Sequence, residues 1–280
     1  MAAGISCQGN EEFLLRLKFC CSVSLYNFPL VARERSKREM LAMSDLYSPI
    51  KNYLLAALTE ETKERISPNL EAVQMLVGET LYEPGRKSQH IYFPTTSIVS
   101  LSYMMESGES SEVSSIGNEG LLGISFFLGD ITTNNHATVS AGGYGYRMEH
   151  KLMVEEFNRA GPMMRLILRY TQALMTQMSQ TTGCNWYHSV AQQLCRWMLL
   201  TMDRLPSKEL VMMQEMVASI LGVRRESITQ AAGKLQRIGV ISYRQDHIKV
   251  LDQAKLESCA CECYSVVKKE FSHLLSNTER

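Results

Sequence analysis

Long apolar runs are missing from this sequence of 280 residues, although 45% of its residues are hydrophobic. No segment approaches the roughly 20 consecutive apolar residues that a membrane-spanning helix requires. A net charge is missing too, because 29 Lys and Arg residues balance 29 Asp and Glu residues. We therefore expect neither membrane association nor a general polycation, and the length suffices for two globular domains with separate cores.

Histidine is scarce, with six residues spread over the chain and no His-x-His pair. A metal site of the cupin type needs several histidines and a carboxylate that converge on one ion. A cupin-type β-barrel metalloenzyme, with the C-terminal segment described below as a fused tail, is therefore kept only as the alternative, and we expect no enzymatic activity. The isolated His90, His136 and His150 give no support to a haem site.

Eight cysteines occur without a secretory context, which indicates reduced thiols in a cytoplasmic protein. Cys259, Cys261 and Cys263 form a C-x-C-x-C run near the end of the sequence. A helix through this run would spread the three sulfurs around its axis. We therefore interpret the run as part of a packed terminal helix and expect no metal ligands there.

The first 43 residues have no globular pattern. The stretch Phe19 to Ala32 is weakly apolar but is interrupted by Asn27 and Pro29, so we do not interpret it as a signal peptide. We expect residues 1–43 to be a disordered tail, or translation to begin at Met40 or Met43.

Short strand patterns separated by turn residues dominate the region 44–153, after a short helical stripe of Ile50, Tyr53, Leu54, Ala57 and Leu58. The strand patterns are Leu70–Val77, Glu79–Tyr82, His90–Phe93, Ser97–Met104, Glu112–Ile116, His136–Ala141 and Tyr144–Glu149. Many short strands at near-regular spacing indicate an antiparallel, jelly-roll-like β-roll.

Helical patterns follow, in a region 154–187 that we assign to a linker and a long helix. Pro162 suits the first turn of that helix. Its stripe of Met164, Ile167, Thr171, Leu174, Met178 and Thr181 alternates intervals of three and four residues. The spacing favours a dimerisation seam, with packing on the β-region as the other explanation.

Two short helices around Gly222, followed by a hairpin, make up the segment from Met213 to Leu251. Ile228, Ala231, Leu235 and Ile238 predict the buried stripe of the second helix. Its other face carries Arg225, Glu226, Thr229, Gln230, Lys234 and Arg237, side chains of the types that read base edges and phosphates. Gly239 ends this helix, and strands at Val240–Tyr243 and Ile248–Leu251 form a wing.

Basic charge is concentrated here. From Lys208 to Lys249, seven Lys and Arg residues face four Asp and Glu residues. This local excess is enough to engage a phosphate backbone.

The segments QEMVASILGVRRESIT, GVISYRQDHIKVLD and HSVAQQLCRWMLLTMDRL resemble the Crp–Fnr family of bacterial transcription regulators. The likeness runs from about Ser48 to Phe271. It implies an α+β fold with an N-terminal β-roll, a long dimerisation helix and a C-terminal winged helix-turn-helix in residues 188–271. It also implies a homodimer that binds an inverted-repeat operator on double-stranded DNA, with RNA polymerase as a further partner.

The resemblance assigns roles to individual positions. Arg225 and Glu226 match base-reading residues of the family, and Ser227 and Gln214 match residues that contact phosphates. Gln230 replaces a second base-reading Arg, so we expect a different operator from that of the cyclic-AMP receptor. The full set of expected DNA-binding residues is Gln214, Arg224, Arg225, Glu226, Ser227, Thr229, Gln230 and Lys234.

The sensor half departs from the family pattern. Glu119 and Gly120 survive in part, but no arginine occurs between Arg86 and Arg147 to hold a cyclic phosphate. Cys7, Cys20 and Cys21 do not reproduce the spacing of an iron–sulfur site. We expect no cofactor and no cyclic nucleotide; the roll is either a sensor of another small molecule or a ligand-free platform for dimerisation and polymerase contact.

Overall fold

A computed structural model describes residues 48–106, 108, 110–205, 209–211, 214–244 and 247–276. The tail 1–43, with Cys7, Cys20 and Cys21, lies outside the described residues, as do Met213 and the hairpin-tip residues Gln245 and Asp246. Among the described helices, none combines the length and the apolar character needed to cross a membrane.

All seven predicted strands of the β-roll form. They are β1 (Glu71–Met75), β2 (Thr80–Tyr82), β3 (His90–Pro94), β4 (Ile98–Met104), β5 (Ser110–Ile116), β6 (His136–Ala141) and β7 (Gly143–Glu149). They build two antiparallel sheets in the orders β1-β7-β3 and β2-β6-β4-β5. The predicted α+β fold with an antiparallel roll is confirmed.

The helical stripe predicted before the roll is broken into two short helices, α1 (Tyr53–Ala56) and α2 (Glu60–Ile66), after a 3₁₀ turn at Pro49–Lys51. Asn52 separates the 3₁₀ turn from α1, because its buried side chain caps α1 and also donates to the carbonyls of Pro94 and Gly120. Thr59 caps the start of α2. Ile50 and Tyr53 are consequently exposed rather than packed on the predicted stripe.

Three helices follow the roll. These are α3 (His150–Asn158), α4 (Pro162–Tyr187) and α5 (Val190–Arg204). Pro162 begins the long helix α4 as expected. Ser189 and Gln192 form a capping box at the start of α5, so the chain changes direction within two residues of the end of α4.

The six residues of the predicted seam on α4 fall into a buried and a half-buried group. Ile167, Leu174 and Thr181 are buried within the chain, while Met164, Thr171 and Met178 are half-buried. The side chains that stay exposed beside the half-buried row are Leu168, Met175 and Thr182. Side chains able to pack lie on both sides of the half-buried row, so the spacing alone did not show which side would be buried.

The C-terminal third contains a three-stranded sheet and four helices. Its elements are β8 (Glu209–Val211), α6 (Gln214–Leu221), α7 (Arg225–Arg237), β9 (Ile241–Arg244), β10 (His247–Val250), α8 (Gln253–Cys259) and α9 (Cys263–Ser276). The sheet has the order β8-β10-β9, so the predicted wing forms and gains a third strand.

Two predictions for this region are wrong in detail. Ile238 is 47% exposed, because α7 ends at Arg237 and Gly239 follows with φ +74°. The C-x-C-x-C run does not form one helix, because α8 ends at Cys259 and α9 begins at Cys263. Helix α9 packs along α4, where the Arg169 guanidinium donates to the carbonyls of His273 and Leu274.

A buried ion pair joins the roll to α5. Arg204 Nη2 lies 2.8 Å from Glu119 Oε1, with both side chains less than a tenth exposed. The same guanidinium donates to Ser115 at the end of β5 and to Gln177 of α4. The roll, the long helix and the first helix of the C-terminal region therefore meet at one side chain.

Glu112 is a second buried carboxyl, on β5. The Ser100 hydroxyl of β4 donates to it, and Arg204 and Arg196 act on it electrostatically. Loss of hydration outweighs these stabilising contacts and raises the pKa of Glu112 from 4.5 to about 7. The folded state therefore binds this proton more tightly than the unfolded state does.

Replacing Glu112 with Gln should stabilise the fold in a pH-dependent way. A raised carboxyl pKa contributes stability below about pH 4.5 that is lost as the pH rises to about 7. The unfolding free energy of Glu112→Gln relative to the parent should therefore increase across this window, by on the order of 3 kcal/mol. Urea denaturation at pH 5 and pH 8 measures the difference, with the surface variant Glu155→Gln as control. A Glu112→Gln effect equal at both pH values would contradict the assignment.

Candidate DNA-binding interface

A tight turn at Gly222 sets the angle between α6 and α7. Gly222 has φ +64°, and its N–H donates to Ser219 O while the N–H of Val223 donates to Ala218 O. A Cβ at this position would also lie 3.0 Å from the hydroxyl oxygen of Ser111 on β5. Glycine is therefore required both by the backbone conformation and by the close approach to the roll.

Helix α7 presents a polar face to solvent. It buries Ile228, Ala231, Ala232 and Leu235 against the rest of the domain. The exposed residues of the predicted polar face are Arg225, Glu226, Thr229, Gln230, Lys234 and Arg237, all of them as expected. Ser227 is half-buried.

Gln214 links the first turn of α6 to the first turn of α7. Its side-chain oxygen accepts hydrogen bonds from Arg225 Nε at 3.3 Å and from Thr229 Oγ1 at 2.9 Å. Three of the residues predicted from sequence thus form one connected group. This connection holds the Arg225 side chain across the start of the polar face.

Glu215 is an interface residue that the sequence argument missed. Its carboxylate lies 2.6 Å from Arg225 Nη1, and both side chains are more than half exposed. Such an exposed pair contributes at most about 1 kcal/mol. The guanidinium can therefore exchange this partner for a guanine edge at small cost. An acidic side chain in the first turn of a helix gave no separate signal in the sequence.

Four other residues of the predicted DNA-binding set have no side-chain partner among the described residues. In the described part of the chain, Arg224, Glu226, Gln230 and Lys234 make no side-chain hydrogen bond or ion pair. Arg224 is the residue before α7 and provides no side-chain cap. The first N–H groups of this 13-residue helix are therefore open to an anion such as a phosphate.

The wing lies after α7. Strands β9 and β10 pair in register, with Arg244 opposite His247 next to the hairpin tip. Lys255 donates to Ile238 O and so satisfies a carbonyl at the C-terminal end of α7. Helix α7 is thus held at its C-terminal end by the helix that follows the wing.

Helix α6 rests against the roll. Ser219 lies 2.9 Å from Ser110 of β5 through their hydroxyl groups. A cleft of about 440 Å³ opens beside this contact, and Glu112 and His136 of the roll and Met216 of α6 are among its lining residues. The face of α6 that meets the roll is not the side that carries Gln214, so the polar face remains accessible.

Glu119 of the roll, which the sequence comparison placed near a cyclic phosphate, is paired within the chain. Glu119 pairs with Arg204 from α5, and a hydrogen bond from Gly117 N–H holds the same carboxylate. The negative charge of Glu119 is therefore neutralised by an ion pair within the chain. The absence of a cyclic-nucleotide cofactor stays a prediction.

The C-terminal domain and the fold of the chain are similar to those of known proteins. Residues 192–259 match the model of the Crp-like helix-turn-helix domain. A Crp/Fnr-family transcription regulator from Eubacterium rectale superposes with a TM-score of 0.59 at 16% identity, covering 74% of this chain and 98% of that one. FixK2 from Bradyrhizobium japonicum superposes at 0.58 with 13% identity, covering 69% and 98%.

The c-di-GMP-responsive global regulator CLP from Xanthomonas campestris gives a TM-score of 0.56 at 13% identity, covering 69% of this chain and 100% of that one. A search of curated protein sequences finds no match. The structural similarities, at these low identities, establish the fold.

The exposed helix, the wing and the matched domain define a DNA-binding protein of the winged helix-turn-helix class. Residues 192–259 belong to the Crp-like helix-turn-helix family, and the chain with its β-roll and long helix has the fold of the Crp/Fnr-type regulators among the solved structures. The cupin-type enzyme alternative has no support, since the matched domain and the structural relatives belong to transcription regulators.

Replacing Glu215 with Gln should strengthen DNA binding. The change removes the competitor for Arg225 and one negative charge from the interface, so the Kd for a duplex of arbitrary sequence should fall about two- to fivefold. Fluorescence anisotropy at fixed salt measures it. Glu257→Gln on α8 removes the same charge in the same region and serves as control. Equal effects of the two variants would show that Glu215 has no specific role.

Proposed function

We propose that this regulator binds an inverted-repeat DNA operator as a homodimer. The observation that carries the proposal is the exposed face of α7, whose Arg225, Glu226, Gln230 and Lys234 project to solvent beside an uncapped helix start. Arg pairs with guanine O6 and N7, and Glu accepts from the cytosine amino group. The local positive charge supplies the affinity for phosphates that is independent of sequence.

Each residue has a role in this proposal. Arg225, Glu226 and Gln230 read base edges in the major groove. Gln214, Arg224, Ser227, Thr229 and Lys234 position the helix through the backbone phosphates or through each other. The link from Gln214 to Arg225 and Thr229 supports this division, because it orients a base reader from a residue near the phosphates.

The exposed row on α4 supports dimerisation. Leu168 is 51% and Met175 is 57% exposed, seven residues apart on one helix face, with Thr182 a further seven residues along. With the half-buried Met164, Thr171 and Met178 they make a seam of alternating four- and three-residue spacing. Two copies packed along this seam would present two α7 helices, as successive major grooves about 34 Å apart require.

The proposal includes RNA polymerase as a partner and the cytoplasm as the location, on the strength of the family resemblance alone. It does not include a cyclic nucleotide as effector. The engagement of Glu119 by Arg204 and the lack of arginine between Arg86 and Arg147 both support its exclusion.

Selection from a random duplex library with the full chain tests DNA recognition. We expect enrichment of an inverted repeat whose half-site centres lie about 10 base pairs apart or a multiple of that spacing. On the selected sequence, Arg225→Ala should weaken binding by about 1–3 kcal/mol and relax preference at one position in each half-site.

Lys234→Ala is the matched control for this prediction. It removes one positive charge from the same helix, and it should weaken binding to the selected and to scrambled duplexes by the same factor. Enrichment of sequences without two-fold symmetry, or unchanged preference in Arg225→Ala, would refute the proposed mode of recognition.

Charge in the α4 seam should break the dimer. Met175→Glu places two carboxylates against each other across a two-fold axis, and we expect the dimer dissociation constant to rise at least about tenfold, or 1.4 kcal/mol. Sedimentation equilibrium measures the change. Leu128→Glu alters another exposed apolar residue, on the roll, and should leave the dimer intact. A monomeric parent chain would overturn the dimer proposal directly.

A further inference from the structure

Four potential metal ligands converge where α4 ends and α9 begins. The ligand atoms of Cys184, His188, Cys261 and Cys263 all lie within 4.8 Å of one another. The three cysteines are buried, and His188 is partly exposed. The ligands come from distant parts of the sequence, because His188 and Cys261 are 73 positions apart.

The local structure explains why these side chains meet. Cys184 and His188 are four residues apart at the end of α4, so they lie on one side of its last turn. The chain breaks between α8 and α9, so Cys261 and Cys263 lie in a turn rather than on one helix. That turn brings both sulfurs to the end of α4, which a continuous helix would not do.

The spacing of the ligand atoms suits a single tetrahedral ion. The Cys184 and Cys261 sulfurs are 3.5 Å apart, and the Cys263 sulfur lies 3.7 Å from His188 Nδ1. Zinc bonds of about 2.3 Å to sulfur and 2.0–2.1 Å to nitrogen imply tetrahedral edges of about 3.8 and 3.6 Å. An iron–sulfur cluster would hold the thiolates farther apart, because several metal and sulfide atoms would lie between them.

Apolar packing does not account for the three cysteines. They form a buried cluster of their own, separate from the continuous apolar core. Cys195, one helix turn into α5, shows the contrast, since it is part of that core. A buried cysteine usually acts as a small apolar side chain, and Cys195 fits that description whereas the cluster does not.

His188 is oriented as a ligand. Its Nδ1 faces the Cys263 sulfur, and its Nε2 lies 3.4 Å from the carboxylate of Glu262. A histidine that binds a metal through one nitrogen commonly donates the other N–H to a carboxylate, which fixes its tautomer and ring position. Gln193 supports the same site by donating to the carbonyl of His188.

Arg196 is a buried cation whose positive charge acts on the cysteine cluster. It is 4% exposed, its Nη1 donates to Thr181, and its Nε has no hydrogen-bond partner. No carboxylate among the described residues pairs with it. It acts electrostatically on Cys184 and Cys263. Three thiolates and one divalent ion carry a net charge of −1, which would compensate this buried cation.

We propose that Cys184, His188, Cys261 and Cys263 bind one zinc ion in a structural Cys₃His site. Three thiolates and an imidazole are a ligand set that zinc prefers, and four protein ligands leave no position open for catalysis. This reverses the interpretation of the C-x-C-x-C run as a packed helix without ligands. Cys259, the first cysteine of the run, is not part of the site.

The ion would link the end of α4 to the turn before α9. Among the described residues, no disulfide and no other group of possible metal ligands cross-links these segments. His188 lies between α4 and α5, so the site fixes the junction between the long helix and the helix that begins the matched DNA-binding domain. Metal binding is measured without DNA. Its failure would therefore leave the proposed DNA recognition untouched.

Metal analysis of the full chain tests the site. After expression with added zinc and purification under reducing conditions, mass spectrometry of the metal content should find about one zinc per chain. Replacement by Co²⁺ should produce thiolate-to-cobalt charge-transfer bands and intense tetrahedral ligand-field bands. Dipicolinate should remove the zinc and lower the melting temperature by more than about 5 °C.

Cys261→Ser and Cys259→Ser form a matched pair within the same run. Cys261→Ser should lose most of the bound zinc and the cobalt charge-transfer intensity, whereas Cys259→Ser should keep both. If Cys261→Ser fails to fold, the zinc content and cobalt spectrum of the parent chain still decide the question. Less than about a tenth of an equivalent of zinc after addition of Zn²⁺, equal retention by both variants, iron in place of zinc, or a metal-free Cys184–Cys261 disulfide would each overturn the proposal.

Discussion

The ion pair between Arg204 and Glu119 is the contact on which the arrangement of this protein depends. Taking two charges out of water costs several kcal/mol for each ion, and this cost is recovered only when partners are placed accurately. Here the guanidinium also donates to Ser115 and Gln177. The roll, α4 and α5 are therefore aligned by a contact that tolerates little displacement. Gly117 belongs to the same constraint, since a Cβ there would lie 2.7 Å from the Arg204 side chain.

The position of the DNA-binding face follows from this alignment. Helix α5 leads into the helix-turn-helix, and α6 then meets β5 through Ser219 and the turn at Gly222. Because α6 uses that side to meet the roll, the polar face of α7 is left toward solvent. The same region holds the exposed pair of Arg225 and Glu215, which is weak enough to be exchanged for contacts with DNA. The buried pair positions the domain, and the weak exposed pair leaves the Arg225 guanidinium available for another partner.

The junction between α4 and α5 also contains a buried charge. Arg196, on α5, is buried, forms no ion pair among the described residues and acts electrostatically on the cysteine cluster. A zinc ion there would give the end of the long helix a fixed geometry beside the capping box of Ser189 and Gln192. The two buried arginines of α5, Arg196 and Arg204, would then be satisfied in different ways, one by metal-bound thiolates and one by Glu119.

Sequence alone determined the elements whose signals are local. The strands of the roll, the Gly222 turn, the wing and the polar face of α7 all follow from periodicity and turn residues within about ten positions of one another. Tertiary structure decided what depended on distant partners. Leu168 and Ile167 are equally apolar neighbours, and only the packing of the folded chain determined which one is buried. Cys184 and Cys261 are neighbours only because α9 packs against α4. Ligand sets and buried ion pairs of this kind join segments that are distant in the sequence, and no local pattern in one segment indicates its partner.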